Sequence, residues 1–238
     1  MQTRDYRPLP FGYGSGSSTL AKPYAAFISH MKAETSMESR FLQTELERKL
    51  ERRCFLDSDD LRDLSDLEQH VRDSDVLILV QSQSVLTRPY CILEVLTAIE
   101  ARIPIVCVTV AGKPNDTYDF EEMSKMMLWM DSELEQWNPG AADVLRDHGY
   151  DDLTEVAYRL STTVPNTIAV GLNTGASRNM LRATIEDVVS SVDEARAILA
   201  EKQTPGPSEK AAWLATREKQ QRPVPTVKSP ARKMQRAT

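Results

Sequence analysis

Two short apolar runs, residues 76–80 and 103–110, stand out in the middle of the chain. Each is too short to cross a bilayer and rich in β-branched residues, which predicts strands buried on both faces of a parallel sheet. Between them Pro89 suits the first turn of a helix, and apolar residues then recur at helical spacing: Ile92, Leu93, Val95, Leu96 and Ile99. This order predicts a right-handed crossover between parallel strands.

The same alternation of strand and helix runs through the rest of the chain. Apolar segments predict three further strands, at residues 24–29, 54–56 and 167–170. Amphipathic segments predict helices at residues 37–52, 121–136 and 178–202, and shorter ones elsewhere. The repeated β-α order predicts an α/β fold, a flavodoxin-like doubly wound five-stranded parallel sheet with helices on both faces.

Composition divides the 238 residues into three parts. Residues 1–22 are rich in glycine, serine and proline and predict a disordered leader. Residues 23–202 form the predicted domain. Residues 203–238 contain prolines, basic residues and few large apolar ones, and predict a disordered basic tail with some loosely helical character near residues 211–218.

Charge and cysteine content narrow the classes of function. The net charge is -6, and because residues 201–238 carry +6, the first 200 residues carry -12. An acidic domain argues against a nucleic-acid partner. The three cysteines are scattered and odd in number, which indicates free thiols in a reducing compartment. With no secretory signal and no run long enough to span a membrane, we expect a cytoplasmic protein.

The common signatures of catalytic and phosphate-binding sites are missing. There is no glycine-rich nucleotide loop, and no G-x-S-x-G nucleophile elbow. The three histidines lie far apart and none is close to a cysteine, so no metal site is expected. A phospho-acceptor receiver domain needs acidic residues and a lysine at three strand ends. This chain has Ser29-His30, Gln81-Ser82 and Gly171 there.

Glu94 is the one residue that breaks the apolar pattern of the central helix. It lies between Leu93 and Val95, just past the carboxyl end of the preceding strand, where open α/β sheets bind their ligands. One interpretation is a helix-surface carboxylate favoured by the nearby helix N-terminus. The other is a functional carboxylate at the ligand edge.

Several segments, taken in order, resemble the Toll/interleukin-1 receptor (TIR) domain family. YAAFISH resembles the opening strand of that family, and FLDSDDLRDLSDLEQHVRDSDVLILVQS resembles its second strand, BB loop, short helix and third strand. SVLTRPYCILEVLTAI is similar to its S-x-W-C-x-x-E-L segment, and IPIVCV to its fourth strand. The resemblance weakens after residue 110. The BB loop here lacks the family's usual glycine near Asp63 and Leu64.

The resemblance implies two functions that the family is known for. Some members cleave NAD at the nicotinamide–ribose bond, using the glutamate that Glu94 matches, with Cys91 three residues before it and Tyr90 in place of the usual tryptophan. NAD would then be a substrate, and no cofactor is implied. The same analogy suggests further contacts with the nucleotide: Phe27, Ser29, His30, Ser84, Arg88 and Tyr90. Each also has a structural interpretation, as core, helix cap or loop residue.

The alternative to this NAD+ nucleosidase is a non-catalytic signalling adaptor that acts through TIR–TIR contacts. The resemblance implies self-association in either case, and other TIR proteins as partners. A third alternative is another N-glycosidic transferase, such as a nucleoside deoxyribosyltransferase, which also uses a glutamate. A glycosidase needs Glu94 open to a cleft, so exposure of this side chain would favour the enzyme. The product, ADP-ribose or cyclic ADP-ribose, stays open.

Overall fold

The computed structural model describes residues 22–56, 64–111, 118–201 and 207–220. Its centre is a sheet of five parallel strands in the order β2-β1-β3-β4-β5. The strands are β1 Ala26–Ser29, β2 Cys54–Leu56, β3 Leu77–Gln81, β4 Ile105–Val110 and β5 Ala169–Leu172. The predicted flavodoxin-like order is therefore confirmed, and every strand begins and ends within two residues of its predicted position.

Helices connect the strands on both faces of the sheet. They are α1 Lys32–Leu50, α2 Leu64–Arg72, α3 Pro89–Glu100, α4 Phe120–Leu128, α5 Met130–Trp137, α6 Ala141–Asp147, α7 Leu153–Thr163, α8 Arg178–Glu201 and α9 Pro207–Lys219. A 3-10 turn, Val85–Thr87, leads from β3 into α3. Pro89 occupies the first turn of α3, as predicted, where its missing N–H costs no intrahelical hydrogen bond.

Alternate residues along the strands point into two separate cores. On one face Ile28, Val80 and Val108 pack with Leu42 of α1 and Val188 of α8. The opposite face holds a larger core, built with α2, α3 and the helices from α4 to α7. Since α3 lies inside this second core, it is covered on nearly every side and remains buried from Cys91 to Ala98.

Two helices differ from their predicted extents. Helix α1 begins at Lys32 rather than after a polar loop, and Thr35 interrupts it with φ −134° and ψ 23°. The predicted helix at residues 121–136 is divided at Trp129, which has φ −112° and ψ 18°. Four methionines form an apolar stripe that continues across that break, because all of them enter the same core: Met123, Met126, Met127 and Met130. Apolar spacing alone therefore did not reveal it.

The predicted tail is ordered at Pro207–Lys219: the helical character expected near residues 211–218 is present, but it belongs to a regular docked helix, and the disorder expected for this segment is wrong. These residues form α9, which packs against α5 and α7. Trp213 donates a hydrogen bond from Nε1 to Ser161 Oγ at 3.0 Å. The physical reason is tertiary: the few large side chains of this segment meet partners on the domain surface.

Candidate functional site

Polar side chains follow one another across the carboxyl ends of three neighbouring strands. Ser29, Gln81 and Thr109 lie in β1, β3 and β4, on the face that α3 covers. Side chains alternate between the two faces of a sheet along each strand. Each of the three residues comes two positions after a residue of the core that contains α3 (the α3-side core), and therefore lies on the same face; those core residues are Phe27, Leu79 and Cys107. Thr109 Oγ1 donates to Gln81 Oε1 at 2.7 Å, across a register that aligns the two residues.

This row lies at the topological switch point of the sheet. The chain moves outward from β1 to β2 in one direction and from β3 to β4 in the other, and open α/β sheets commonly bind their ligands at the strand ends of such a point, here those of β1 and β3. The hydroxyls of Ser29 and Ser82 are buried at this point, and within the described residues neither has a hydrogen-bond partner. Buried hydroxyls of this kind commonly serve a ligand or an ordered water.

Two contacts tie the segment after β1 to the segment after β3. Cys91 Sγ lies 3.5 Å from the backbone oxygen of His30. Glu34, in the first turn of α1, accepts a hydrogen bond from the backbone N–H of Ser84 at 3.0 Å. The start of α3 is therefore fixed relative to the start of α1.

Glu94 stands three residues beyond Cys91, so both side chains lie on the same side of α3. Its side chain is only 2% exposed. Moving a carboxylate out of water is costly unless the protein compensates for the lost hydration. The expected open cleft is thus absent from this conformation: Glu94 is at the ligand edge, but it is covered.

His30 follows β1 directly and is 9% exposed. Burial lowers the pKa of its imidazole to about 4, although the Ile28 backbone favours the protonated form. Nearby Arg40 and Lys32 lower the pKa further. At neutral pH His30 is therefore an uncharged imidazole, and it brings no positive charge to the site.

The other residues predicted from the resemblance have different surroundings. Phe27 is fully buried and stacks on Phe55 with ring centroids 5.2 Å apart, so its ring belongs to the core rather than to the site lining. Ser84 precedes the 3-10 turn, and its carbonyl accepts a hydrogen bond from Thr87. Arg88 is exposed at the N-terminal boundary of α3, and Tyr90 is half-buried against the α3-side core.

Sequence reasoning missed Gln81, Thr109 and Glu34 as members of this site. The available signal for Gln81 was a polar residue closing an apolar strand. Thr109 and Glu34 gave no comparable signal, since their contacts depend on strand register and on how two loops meet. The acidic BB loop at residues 57–63 and the segment 112–117 lie outside the described residues.

The described part of the chain has neither a metal-binding cluster nor a helix that could span a membrane. It holds no group of three or more histidine, cysteine or acidic side chains placed to bind a metal ion. None of its helices combines the length and hydrophobicity needed to cross a bilayer.

No family model matches the chain, and no curated protein matches it. Among solved structures, the chain is similar to the TIR domains of the activated Roq1 resistosome, which directly recognises the pathogen effector XopQ. The identity is 16% and the TM-score is 0.49, over 71% of this chain and 99% of that chain. At these values the likeness concerns the fold only, and no residue role is transferred through it.

Proposed function

We propose that this chain is a TIR domain protein that cleaves the nicotinamide–ribose bond of NAD, with Glu94 as the catalytic carboxylate. The observation that carries the proposal is the position of Glu94: a buried carboxylate in the helix that covers the polar row at the switch point. Perturbed or costly carboxylates concentrate at functional sites. The sequence resemblance around Cys91 and Glu94 supplies the reaction class.

The proposed reaction converts NAD and water into nicotinamide and ADP-ribose. The bond between ribose C1′ and the nicotinamide nitrogen breaks, and its electron pair leaves with the neutral nicotinamide, so no strong general acid is required. Positive charge develops on the ribose ring, and the Glu94 carboxylate stabilises this oxocarbenium-like transition state. Water then adds to C1′ and releases a proton. Attack by the adenine ring of the same molecule would instead give the cyclic product.

The neighbouring groups suit a ribose and its phosphates. The buried hydroxyl of Ser29 and the amide of Gln81 supply donors and acceptors for ribose hydroxyls. Neutral His30 contributes a hydrogen bond and no charge. The cation for the pyrophosphate is then Arg88, at the start of α3, where the helix N-terminus also favours anions.

The burial of Glu94 requires an opening step before the ribose can enter. We propose that self-association through TIR–TIR contacts, with copies of this chain or with other TIR proteins, provides this step and couples activity to signalling. A cytoplasmic location is part of the same proposal. It is supported by the three cysteines, which are buried thiols rather than disulfides.

A second candidate function is the non-catalytic signalling adaptor. The observation that favours it is the same 2% exposure of Glu94, because an open cleft would be the simplest arrangement for a glycosidase. In an adaptor, Glu94 would be a structural residue whose charge is balanced inside the protein, and the chain would act only through its surfaces.

Nicotinamide release from NAD, measured over a rising protein concentration, separates the two functions. We expect release that increases more steeply than protein concentration, and that disappears in Glu94→Ala and Glu94→Gln variants with unchanged circular dichroism. No release by the wild type at any concentration would favour the adaptor. Release that persists in both variants would show cleavage at a different site.

A further inference from the structure

Helix α9 is attached to the domain by aromatic and charged side chains on one of its faces. Arg217, 9% exposed, lies over the ring of Trp129 with its guanidinium carbon 4.5 Å from the ring centroid, and it forms an ion pair with Asp131. The Trp213 ring also contacts this guanidinium, with its centroid 5.4 Å from the guanidinium carbon. A cation that contacts two indole rings and is also paired with a carboxylate is a strong anchor, since each of these attractions strengthens as water is excluded.

The same face of α9 also contacts α7. The Trp213 ring meets Tyr158 edge-on, with centroids 5.4 Å apart, and Lys210 Nζ lies 2.6 Å from Glu155 Oε2. The hydrogen bond with Glu155 raises the pKa of Lys210. Lys210, Trp213 and Arg217 recur at intervals of three and four residues, which places them in one stripe along the helix.

From Lys210 a continuous chain of ion pairs leads to the helix that carries Glu94. Glu155 also accepts a hydrogen bond from Arg159 Nε at 2.7 Å, and Arg159 Nη1 lies 2.8 Å from Glu100 Oε1. Glu100 is the last residue of α3, and its Oε1 also accepts from the Tyr150 hydroxyl at 3.1 Å. Glu94 lies in the middle and Glu100 at the C-terminal end of one helix of 12 residues, so a restraint on Glu100 also limits the movement of Glu94.

We propose that α9 is an autoinhibitory clasp, which by docking on α5 and α7 holds α3 in the closed arrangement that covers Glu94. Release of α9 removes the last ion pair of the chain and loosens α3. The consequence for catalysis, a faster reaction when the clasp is open, rests on the proposed function. The mechanical coupling between α9 and α3 does not.

The test uses the full chain and two double variants of α9. Trp213→Ala with Arg217→Ala removes the anchors, while Glu218→Ala with Lys219→Ala removes one acidic and one basic side chain that are exposed on the same helix. Amide hydrogen exchange is measured in α9, in α3 and in strand β3. Nicotinamide release is measured on the same samples.

In the anchor variant we expect fast amide exchange throughout α9 and exchange in α3 that is about two- to fivefold faster than in the wild type. The expected change in α3 is this small because the connecting ion pairs are partly exposed and therefore of modest strength. Exchange in β3 should not change, and the control variant should match the wild type. Fast exchange confined to α9, α5 and α7 would overturn the proposal. Continued protection of α9 in the anchor variant would also overturn it, because the named contacts would not be what holds the helix.

The release measurement separates this inference from the proposed function. Faster nicotinamide release in the anchor variant than in the wild type supports both, since a merely structural role for α9 would lower the activity. Faster exchange in α3 without nicotinamide release from any sample would support the coupling of α9 to α3 and contradict the proposed enzymatic function. Equal nicotinamide release in all samples, with unchanged exchange in α3, would support the enzymatic function and contradict the coupling.

Discussion

Helices α1 and α3 leave the same edge of the sheet, and each buries a carboxylate near its start, yet their surroundings differ. Glu38 of α1 is 3% exposed and Glu94 of α3 is 2% exposed. Helix α1 alternates buried and exposed positions, so one of its sides meets water. Helix α3 is enclosed by the sheet and by α2, α6 and α7. A small movement can hydrate Glu38, whereas the charge of Glu94 depends on the protein alone.

The comparison shows that depth of burial does not by itself distinguish a functional carboxylate from a structural one. What distinguishes Glu94 is the row of Ser29, Gln81 and Thr109, which lies on the same face of the sheet as α3. The α1 side of the sheet ends in Ser82 and is otherwise apolar along β3 and β4. The two glutamates therefore form a natural pair for experiments.

The largest expected effect is on activity, and it uses this pair directly. Glu94→Gln should lower nicotinamide release by about 100- to 1000-fold, as the loss of one electrostatic group at a transition state does. Glu38→Gln should leave release within about threefold, because Glu38 lies one turn before Leu42, which packs in the core on the face of the sheet opposite α3. Steady-state release at matched protein concentration measures both. Equal losses in the two variants would mean that both carboxylates act through folding.

The next effect concerns how completely each helix is enclosed. Leu93 and Val95 lie on nearly opposite sides of α3, and both are buried. Replacement of either residue by alanine should therefore lower the free energy of unfolding by about 2 to 4 kcal/mol. The same spacing in α1 gives Leu42 and Thr44. Leu42→Ala should cost a similar amount, but exposed Thr44→Ala should stay within about 0.5 kcal/mol. Urea unfolding midpoints give the four values.

A smaller effect is expected at His30, where the start of α1 meets α3. Because the folded pKa is about 4 and the ordinary value is 6.5, the unfolded chain binds the proton first as pH falls. The stability that depends on the neutral imidazole is therefore fully present above about pH 6.5. It is lost as the pH falls towards 4, which lowers the free energy of unfolding by roughly 2 to 3 kcal/mol.

Unfolding free energies at pH 7 and pH 4.5 measure this contribution. The loss between the two values should be clearly smaller in His30→Gln than in the wild type. The matched control is His148→Gln, at the C-terminal end of α6. An identical pH dependence in the wild type and His30→Gln would contradict the assignment.

The smallest effect comes from the contact that joins the two helix starts. Glu34→Gln keeps the shape of the side chain but weakens its hydrogen bond with the Ser84 N–H, and should cost about 1 kcal/mol. Glu45→Gln, which affects only a surface pair with Arg48, should cost about 0.3 kcal/mol or less. Thermal unfolding of both variants in parallel resolves the difference.

The sequence predicts the sheet well because its strands are short, apolar and separated by helices of clear period. It also predicts the helix after β3 that carries Glu94. It does not predict how deeply Glu94 is covered, since its apolar neighbours fit a surface helix as well as an enclosed one. The pair between Gln81 and Thr109 required the strand register.

Helix α9 shows the other limit of sequence reasoning. Its composition resembles that of a disordered tail, and its order depends on partners that are remote in the chain: Arg217 and Asp131 are 86 residues apart. Local patterns carry no information about such a pairing. The break at Trp129 belongs to the same region, where the ring lies under Arg217.

The contacts of Arg217 with two indole rings also give this protein an internal optical probe. The chain has three tryptophans, Trp129, Trp137 and Trp213, and two of them contact Arg217. Indole emission responds to a nearby charge and to water. Movement of α9 would therefore change the fluorescence of the unlabelled protein, whereas an event confined to α1 and α8 would leave it unchanged.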